Sequence, residues 1–314
     1  MLNKNSKIYL AGHRGLVGSA ILRKLKSKGF KNIIYKSSKQ LDLKNQKNVL
    51  AYLKKNRPEF IFIAAAKVGG IHSNNKYRAD FIYDNLIIQT NLIHSAYLSG
   101  VKNLIFLGSS CVYPRNCRQP IKEKYLLTGE LEKTNDAYAI AKIAGIKMCE
   151  SYNKQYKTNY KCLMPTNTFG PNDSYHLMDS HFLPAIIKKC HDIKIRNKKA
   201  LVLWGNGKAK REMIYVDDVA DACLHFMTKK INKTIINIGT GKDFTIKDYA
   251  KKVLKQILPN REILIKYDYS KPNGTPRKVL DISLAKKYGW RPKMNLNEAI
   301  LETYKDYLLK SEKK

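Results

Sequence analysis

At 314 residues with 44% hydrophobic content, the chain can bury one large core or two modest ones. Its formal net charge of +34 comes from basic residues spread along the whole length, not gathered in an arm or stripe, which argues against a nucleic-acid binder or a membrane-surface protein. Its six cysteines (Cys111, Cys117, Cys149, Cys162, Cys190, Cys223) show no metal-ligand spacing, and no signal peptide or bilayer-length apolar run is visible; a metal-free protein of the reducing cytoplasm is expected.

In chain order the first strand, 7–11, runs into Gly12-His13-Arg14-Gly15-Leu16-Val17-Gly18, which opens a helix over 19–28. Strand, glycine turn and helix form a dinucleotide-binding start, with a pyrophosphate seated on the helix N-terminus. A second strand, 32–36, ends in Lys36-Ser37-Ser38-Lys39, with no acidic residue until Asp42. An NAD site wants a carboxylate there for the ribose 2′-hydroxyl; these basic groups, with Arg14, suit the 2′-phosphate of NADPH. A helix at 46–55, a strand at 60–66, a helix at 79–99 and a strand at 103–108 follow. Then come a helix carrying Tyr138 and Lys142 and a strand at 160–164. This alternation predicts an α/β fold with a doubly wound parallel sheet. Beyond Pro165, Gly170 and Pro171 the pattern is less regular. Helices are expected at 181–191, 216–228, 246–257 and 296–309, short strands at 201–204 and 234–238, and a frayed end at 310–314. The organisation predicted is a Rossmann domain over 1–170, with segments near 213–240 returning to it, and a smaller, mainly substrate-binding α/β domain over 171–314.

Tyr138 and Lys142 lie one turn apart on one helix face. An ammonium near a phenol favours the phenolate, so Tyr138 is expected to release its proton readily to the oxygen of a carbonyl under reduction. Ser109, just past the strand ending at Gly108, is placed to hydrogen-bond the same oxygen. The loop Lys67-Val68-Gly69-Gly70-Ile71 and the run Pro165-Thr166-Asn167-Thr168 also leave strand ends, where ligands bind in such sheets.

The segments 12–18, Ala64-Ala65-Ala66-Lys67-Val68-Gly69-Gly70, 79–83, Leu107-Gly108-Ser109-Ser110-Cys111, 138–147, 164–167 and Gly274-Thr275-Pro276-Arg277-Lys278 resemble the GDP-L-fucose synthase family, within the extended short-chain dehydrogenase/reductases. The likeness covers nearly the whole chain. It implies a reaction on GDP-4-keto-6-deoxy-D-mannose: inversion of C3 and C5, then NADPH-dependent reduction of the C4 ketone. Cys111 and His181 match the family's acid-base pair, whose free pKa values of about 8.5 and 6.5 allow proton exchange near neutral pH. Lys189, Trp204, Arg211 and Lys278 are implied as ligands of the GDP-sugar. Cofactor contacts are implied for 12–18, Ser38, Lys39, Asp42, Leu43, Leu107 to Ser110, Lys142, Pro165 to Thr168, and His181. Two departures stand out: Lys189 occupies a position usually held by arginine, which loses two-pronged phosphate geometry, and Ser38 stands where an arginine usually grips the 2′-phosphate. A homodimer through the helices around 83–96 and 138–152 is also implied. The alternatives are a GDP-L-colitose synthase, which inverts only C5 of a 3,6-dideoxy analogue; a UDP-sugar 4-epimerase, which the basic residues after strand two disfavour; and, in another class, a nucleic-acid binder on a reductase fold.

Overall fold

The computed structural model describes residues 2–177, 180–271 and 273–312. The first part of the chain forms β1 (Ile8–Ala11), α1 (Leu16–Ser27), β2 (Ile33–Ile34), α2 (Gln46–Asn56), β3 (Phe60–Ile63), α3 (Ile71–Lys76), α4 (Arg78–Leu98), β4 (Asn103–Leu107), α5 (Asp136–Tyr156) and β5 (Asn159–Pro165). The rest forms β6 (Asn167–Phe169), α6 (Phe182–Ile195), β7 (Ala200–Trp204), β8 (Lys210–Tyr215), α7 (Val216–Thr228), β9 (Ile235–Ile238), β10 (Asp243–Thr245), α8 (Ile246–Ile257), β11 (Leu264–Asp268), β12 (Arg277–Lys278), α9 (Ser283–Lys287) and α10 (Leu296–Ser311).

Six strands pair in parallel in the order β2-β1-β3-β4-β5-β9. β1 (IYLA) and β3 (FIFI) are apolar at every position and buried at every position, as a parallel sheet covered on both faces requires. On one face Val49, Leu92, Ile93, Ile143 and Ile146 of α2, α4 and α5 close over the sheet. On the other, Ile21 and Leu25 of α1 meet Val219, Cys223 and Phe226 of α7. Strand order reverses between β1 and β3, so a crevice opens at their carboxyl ends, where the glycine turn begins.

A third core joins α6, α8 and α10 around Leu183, Ile187, Val253 and Ile300. α8 starts on a capping box: Asp248 N–H donates to Thr245 Oγ1 at 3.0 Å and Thr245 N–H donates to Asp248 Oδ2 at 3.1 Å, an arrangement worth about 1 kcal/mol. β8 is flanked by β10 (antiparallel), β12 and β6, and β7 pairs with β11. This region therefore holds more strands than the one, at 201–204, predicted in it outside β9. β2 is shorter than predicted, and α10 runs through Ser311 with Lys310 ion-paired to Asp306 at 2.8 Å; positions 313 and 314 lie outside the described residues. Segments after residue 278 also return to the first sheet, since Leu280 and Ile282 join one of its cores and Trp290 the other. Among the described residues no helix is long and apolar enough to cross a membrane.

Candidate active site

The turn after β1 is shaped by three glycines with three different reasons. Gly12 has φ of +88°, and a Cβ there would meet the backbone of Ala64 and Ala65, leaving β3, at 2.7 and 2.6 Å. At Gly18 a Cβ would fall 2.0 Å from the Gly12 carbonyl oxygen, so only glycine lets α1 pack this close to the strand. Gly15, the N-cap, is solvent-exposed and makes no side-chain cap. A Cβ there would find only the Gly12 oxygen, at 3.5 Å. The first amides of α1 thus open outward without a side-chain acceptor, a ready seat for a phosphate. Arg14, Lys36, Ser38 and Lys39 are all exposed beside it. The His13 ring rests 4.4 Å from that of Tyr35. Asp42 is exposed and its carboxylate accepts from Lys44 N–H at 3.0 Å. Leu43 packs on the core, its carbonyl accepting from Asn91 at 2.9 Å.

Tyr138 and Lys142 sit in the first half of α5, beneath the end of β4. Lys142 is 3% exposed and donates to the Leu107 carbonyl at 2.8 Å. Its ammonium lies 4.7 Å from the Phe106 ring centroid and 5.7 Å from that of Tyr138. The expected phenolate is not what this environment favours. Burial, with a further contribution from the Cys111 thiol, pushes Tyr138 well above the usual phenol range, and burial brings Lys142 down to about 8. Desolvation is the largest influence on each group. Ser109 caps the short turn 110–112, its Oγ accepting from Cys111 N–H at 3.3 Å. The buried Cys111 thiol is raised by desolvation, against the pull of Lys278, a hydrogen bond with Ser109 and the charge of Lys142.

A cavity of about 240 Å³ lies between the two lobes, lined by His181, Lys189, Trp204, Arg211, Lys278 and Asn167 among others. The first five come from four separate elements, α6 supplying both His181 and Lys189 and β7, β8 and β12 one residue each. His181 is the N-cap of α6. Its accessible surface opens into the cavity, yet enough protein surrounds the ring to lower its pKa, with Lys278 adding to the effect. Lys189 donates to the Val202 carbonyl at 2.9 Å, and its ammonium stands 5.8 Å from the Trp204 ring centroid. Burial lowers Lys189, Arg211 and Lys278 alike. Asn167 leans on the Glu212 carbonyl at 3.3 Å.

Cys111 does not line this cavity. It faces a much smaller space that shares Glu132, Thr275 and Lys278 as a common wall. Glu132, the acidic group of that wall, is absent from the sequence-derived site. It accepts from Thr275 Oγ1 at 3.2 Å and pairs with Arg115 at 3.3 Å. His72, Asn74, Thr134, Asn135 and Asn273 also line the cavity without having been anticipated. Thr275 was within reach, since it stands in the run ending at Lys278; the others sit in polar stretches with no distinguishing spacing.

A dinucleotide-type glycine turn, a Tyr-Lys pair on a helix and a basic cavity across a lobe boundary describe a nucleotide-sugar epimerase or reductase. Residues 8–239 match the NAD dependent epimerase/dehydratase family, and the chain belongs to that family. Within it, the chain is similar to GDP-L-fucose synthases: it is 48% identical to GDP-L-fucose synthase 1 of Arabidopsis thaliana, over 98% of this chain and 95% of the relative. It is 42% identical to the GDP-L-fucose synthase of Escherichia coli (strain K12), over 96% of each. A GDP-L-colitose synthase of Yersinia pseudotuberculosis stands lower, at 39% over 96% of this chain and 98% of the relative. Among solved structures, a GDP-mannoheptose C4 reductase from Campylobacter jejuni with NADP bound superposes with a TM-score of 0.88, at 37% identity over 98% of this chain and 100% of the other.

Proposed function

We propose that the protein converts GDP-4-keto-6-deoxy-D-mannose to GDP-L-fucose by C3 and C5 epimerisation followed by reduction at C4. The observation that carries the reading is the gathering of His181, Lys189, Trp204, Arg211 and Lys278 around one cavity. Arg211 and Lys278 have side chains depressed by burial, a state that the diphosphate of a GDP-sugar would relieve. The cofactor is NADPH: the first amides of α1, just past Gly15, take its pyrophosphate, and Arg14, Lys36 and Lys39 surround its 2′-phosphate. Bound there, NADPH supplies hydride to the ketone carbon.

Tyr138 keeps its proton in this environment and gives it to the C4 oxygen, which Ser109 also holds. Lys142 keeps the Tyr138 end of α5 fastened to β4 through Leu107. The ketone acidifies the C–H bonds at C3 and C5, and Cys111 and His181 remove and return those protons from opposite faces of the sugar. His181, with its lowered pKa, is neutral at pH 7 and able to accept one. The protein acts in the cytoplasm as a homodimer, paired through the helices around 83–96 and 138–152. Tyr83 and Ile140, 61% and 47% exposed, supply apolar surface for that contact. The division into a Rossmann domain over 1–170 and a mainly substrate-binding domain over 171–314 belongs to the same reading.

The test is to mix purified protein with GDP-4-keto-6-deoxy-D-mannose and NADPH, follow loss of NADPH absorbance, and identify the sugar by NMR. GDP-L-fucose is the expected product. No NADPH consumption would refute the reading, and preferential turnover of the 3,6-dideoxy analogue would assign GDP-L-colitose synthesis instead.

A further inference from the structure

Asn172 lies just past Gly170 and Pro171, where the chain leaves the first sheet for the second lobe. Its backbone is left-handed, with φ of 74°, a conformation asparagine tolerates better than most residues. Its carboxamide donates to the Arg14 carbonyl at 2.7 Å and to Ser19 Oγ at 3.3 Å. Its own N–H donates to Asp306 Oδ2 at 2.9 Å on α10. Lys310, one turn further, pairs with the same carboxylate at 2.8 Å. Tyr175 adds a second tie, donating to the Thr303 carbonyl of α10 at 2.9 Å. One residue therefore fastens the glycine turn and the first turn of α1, through its side chain, to a helix of the other lobe, through its backbone N–H.

The bond to Arg14 has a consequence for anion binding. The Arg14 carbonyl belongs to the peptide whose Gly15 N–H donates to the Gly12 carbonyl at 3.0 Å, so Asn172 and Gly12 hold one rigid plane from its two ends, just before the first amides of α1. Without Asn172 only the short Gly12–Gly15 turn would hold that plane, and a carbonyl tilted toward the crevice would set its lone pairs against an incoming phosphate. We infer that Asn172 is a positioning residue for the dinucleotide: it holds the Arg14 carbonyl on the second lobe, fixing the Arg14–Gly15 peptide for the cofactor's phosphates without touching the cofactor. This rests on the NADPH reading above.

Two variants test it in the full-length protein. Asn172→Gly keeps the left-handed backbone and deletes the carboxamide. Asn172→Asp keeps the size but sets a carboxylate against a carbonyl and near the phosphates. NADPH affinity is measured by quenching of tryptophan fluorescence, KM and kcat for NADPH by steady-state kinetics, and folding by thermal melting. The expected result is that Kd and KM for NADPH rise roughly tenfold in Asn172→Gly, the scale of one lost hydrogen bond. They rise further in Asn172→Asp, with kcat within about twofold of wild type in both. A purely structural role predicts a lowered melting temperature with NADPH affinity unchanged, and that result overturns the inference. Wild-type affinity in both variants overturns it too, while leaving the cofactor reading intact. Failure of the wild-type protein to bind NADPH removes the cofactor reading and this inference together.

Discussion

The Lys142 ammonium lies 5.7 Å from the Tyr138 ring centroid and gives its hydrogen bond to the Leu107 carbonyl at 2.8 Å, not to the phenol one turn away. Sequence spacing puts the two residues on one face; packing decides how they share a proton. Burial holds Tyr138 as phenol and drags Lys142 down to about 8, so the pair is tuned toward neutral forms. A proton donor needs to be protonated when the carbonyl arrives, and Tyr138 is.

Replacing that donor should stop reduction without disturbing the cofactor seat. Tyr138→Phe is expected to lower kcat by on the order of 10²-fold or more, the scale for a positioned acid. NADPH affinity, read by fluorescence quenching, should stay near wild type. Near-normal turnover in Tyr138→Phe would contradict the assignment of Tyr138.

The lowered pKa of Lys142 fixes the sign of a pH effect. As pH rises through about 8, Lys142 loses its charge and with it the electrostatic support of negative charge developing on Tyr138 as its proton leaves. Reduction rate at saturating substrate is expected to fall along the alkaline side of pH 8. Lys142→Arg retains its charge there, so its residual activity should be flat across the same range. An unchanged alkaline limb in Lys142→Arg would show that some other group titrates.

The two proton-moving sets are separable. Cys111 lies off the main cavity, behind the wall of Glu132, Thr275 and Lys278, whereas His181 opens into it. Cys111→Ser and His181→Ala should each suppress deuterium uptake at C3 and C5 in D₂O, read by NMR of recovered substrate. Cys111→Ser should still reduce the unepimerised ketone, since Tyr138, Lys142 and the glycine turn are untouched. Wild-type exchange in both variants would leave Cys111 as a packed thiol and His181 as a helix cap.

A structural prediction concerns Glu212. Its side chain is fully buried, and its carboxylate accepts from the N–H groups of Thr240, Gly241 and Leu280 at 2.5, 2.6 and 2.8 Å. Glu212→Ala strands three amide donors, each costing about 1–3 kcal/mol if left unmet. Denaturant melts should show a loss of at least about 2 kcal/mol. Burial raises the Glu212 pKa to about 6. Because the folded value exceeds the unfolded one, the stability linked to its protonation is complete below the unfolded value near 4.5 and is lost as pH rises through about 6. Stability that stays flat over that window would show that the three amides hold the ionised form as well as the neutral one.

The first half of the fold is legible because its strands are apolar runs buried on both faces, closed by glycine or proline. β8, β10 and β12 are not, because runs such as Lys210-Arg211-Glu212 and Arg277-Lys278 carry charge and gain strand geometry only from partners far away in sequence. α3 hides in the polar stretch after Gly70, with Ser73 and Asn74 buried by the loop it supports. The site divides the same way. Tyr138, Lys142 and the glycines announce themselves by spacing, and Cys111, His181 and Lys278 by resemblance. Glu132 and Asn172 matter through contacts with residues more than a hundred positions away, which no local pattern encodes.

The sixth strand of the main sheet, β9, arrives only after the chain has built β6, α6, β7, β8 and α7. A fragment ending near residue 170 would leave the edge of β5 bare from Cys162 to Pro165 and uncover the α1 surface that α7 protects, inviting aggregation. Chimaeras made to exchange sugar specificity between relatives therefore need at least two junctions. A single crossover near residue 170 would ask β5 from one parent to pair with β9 from the other.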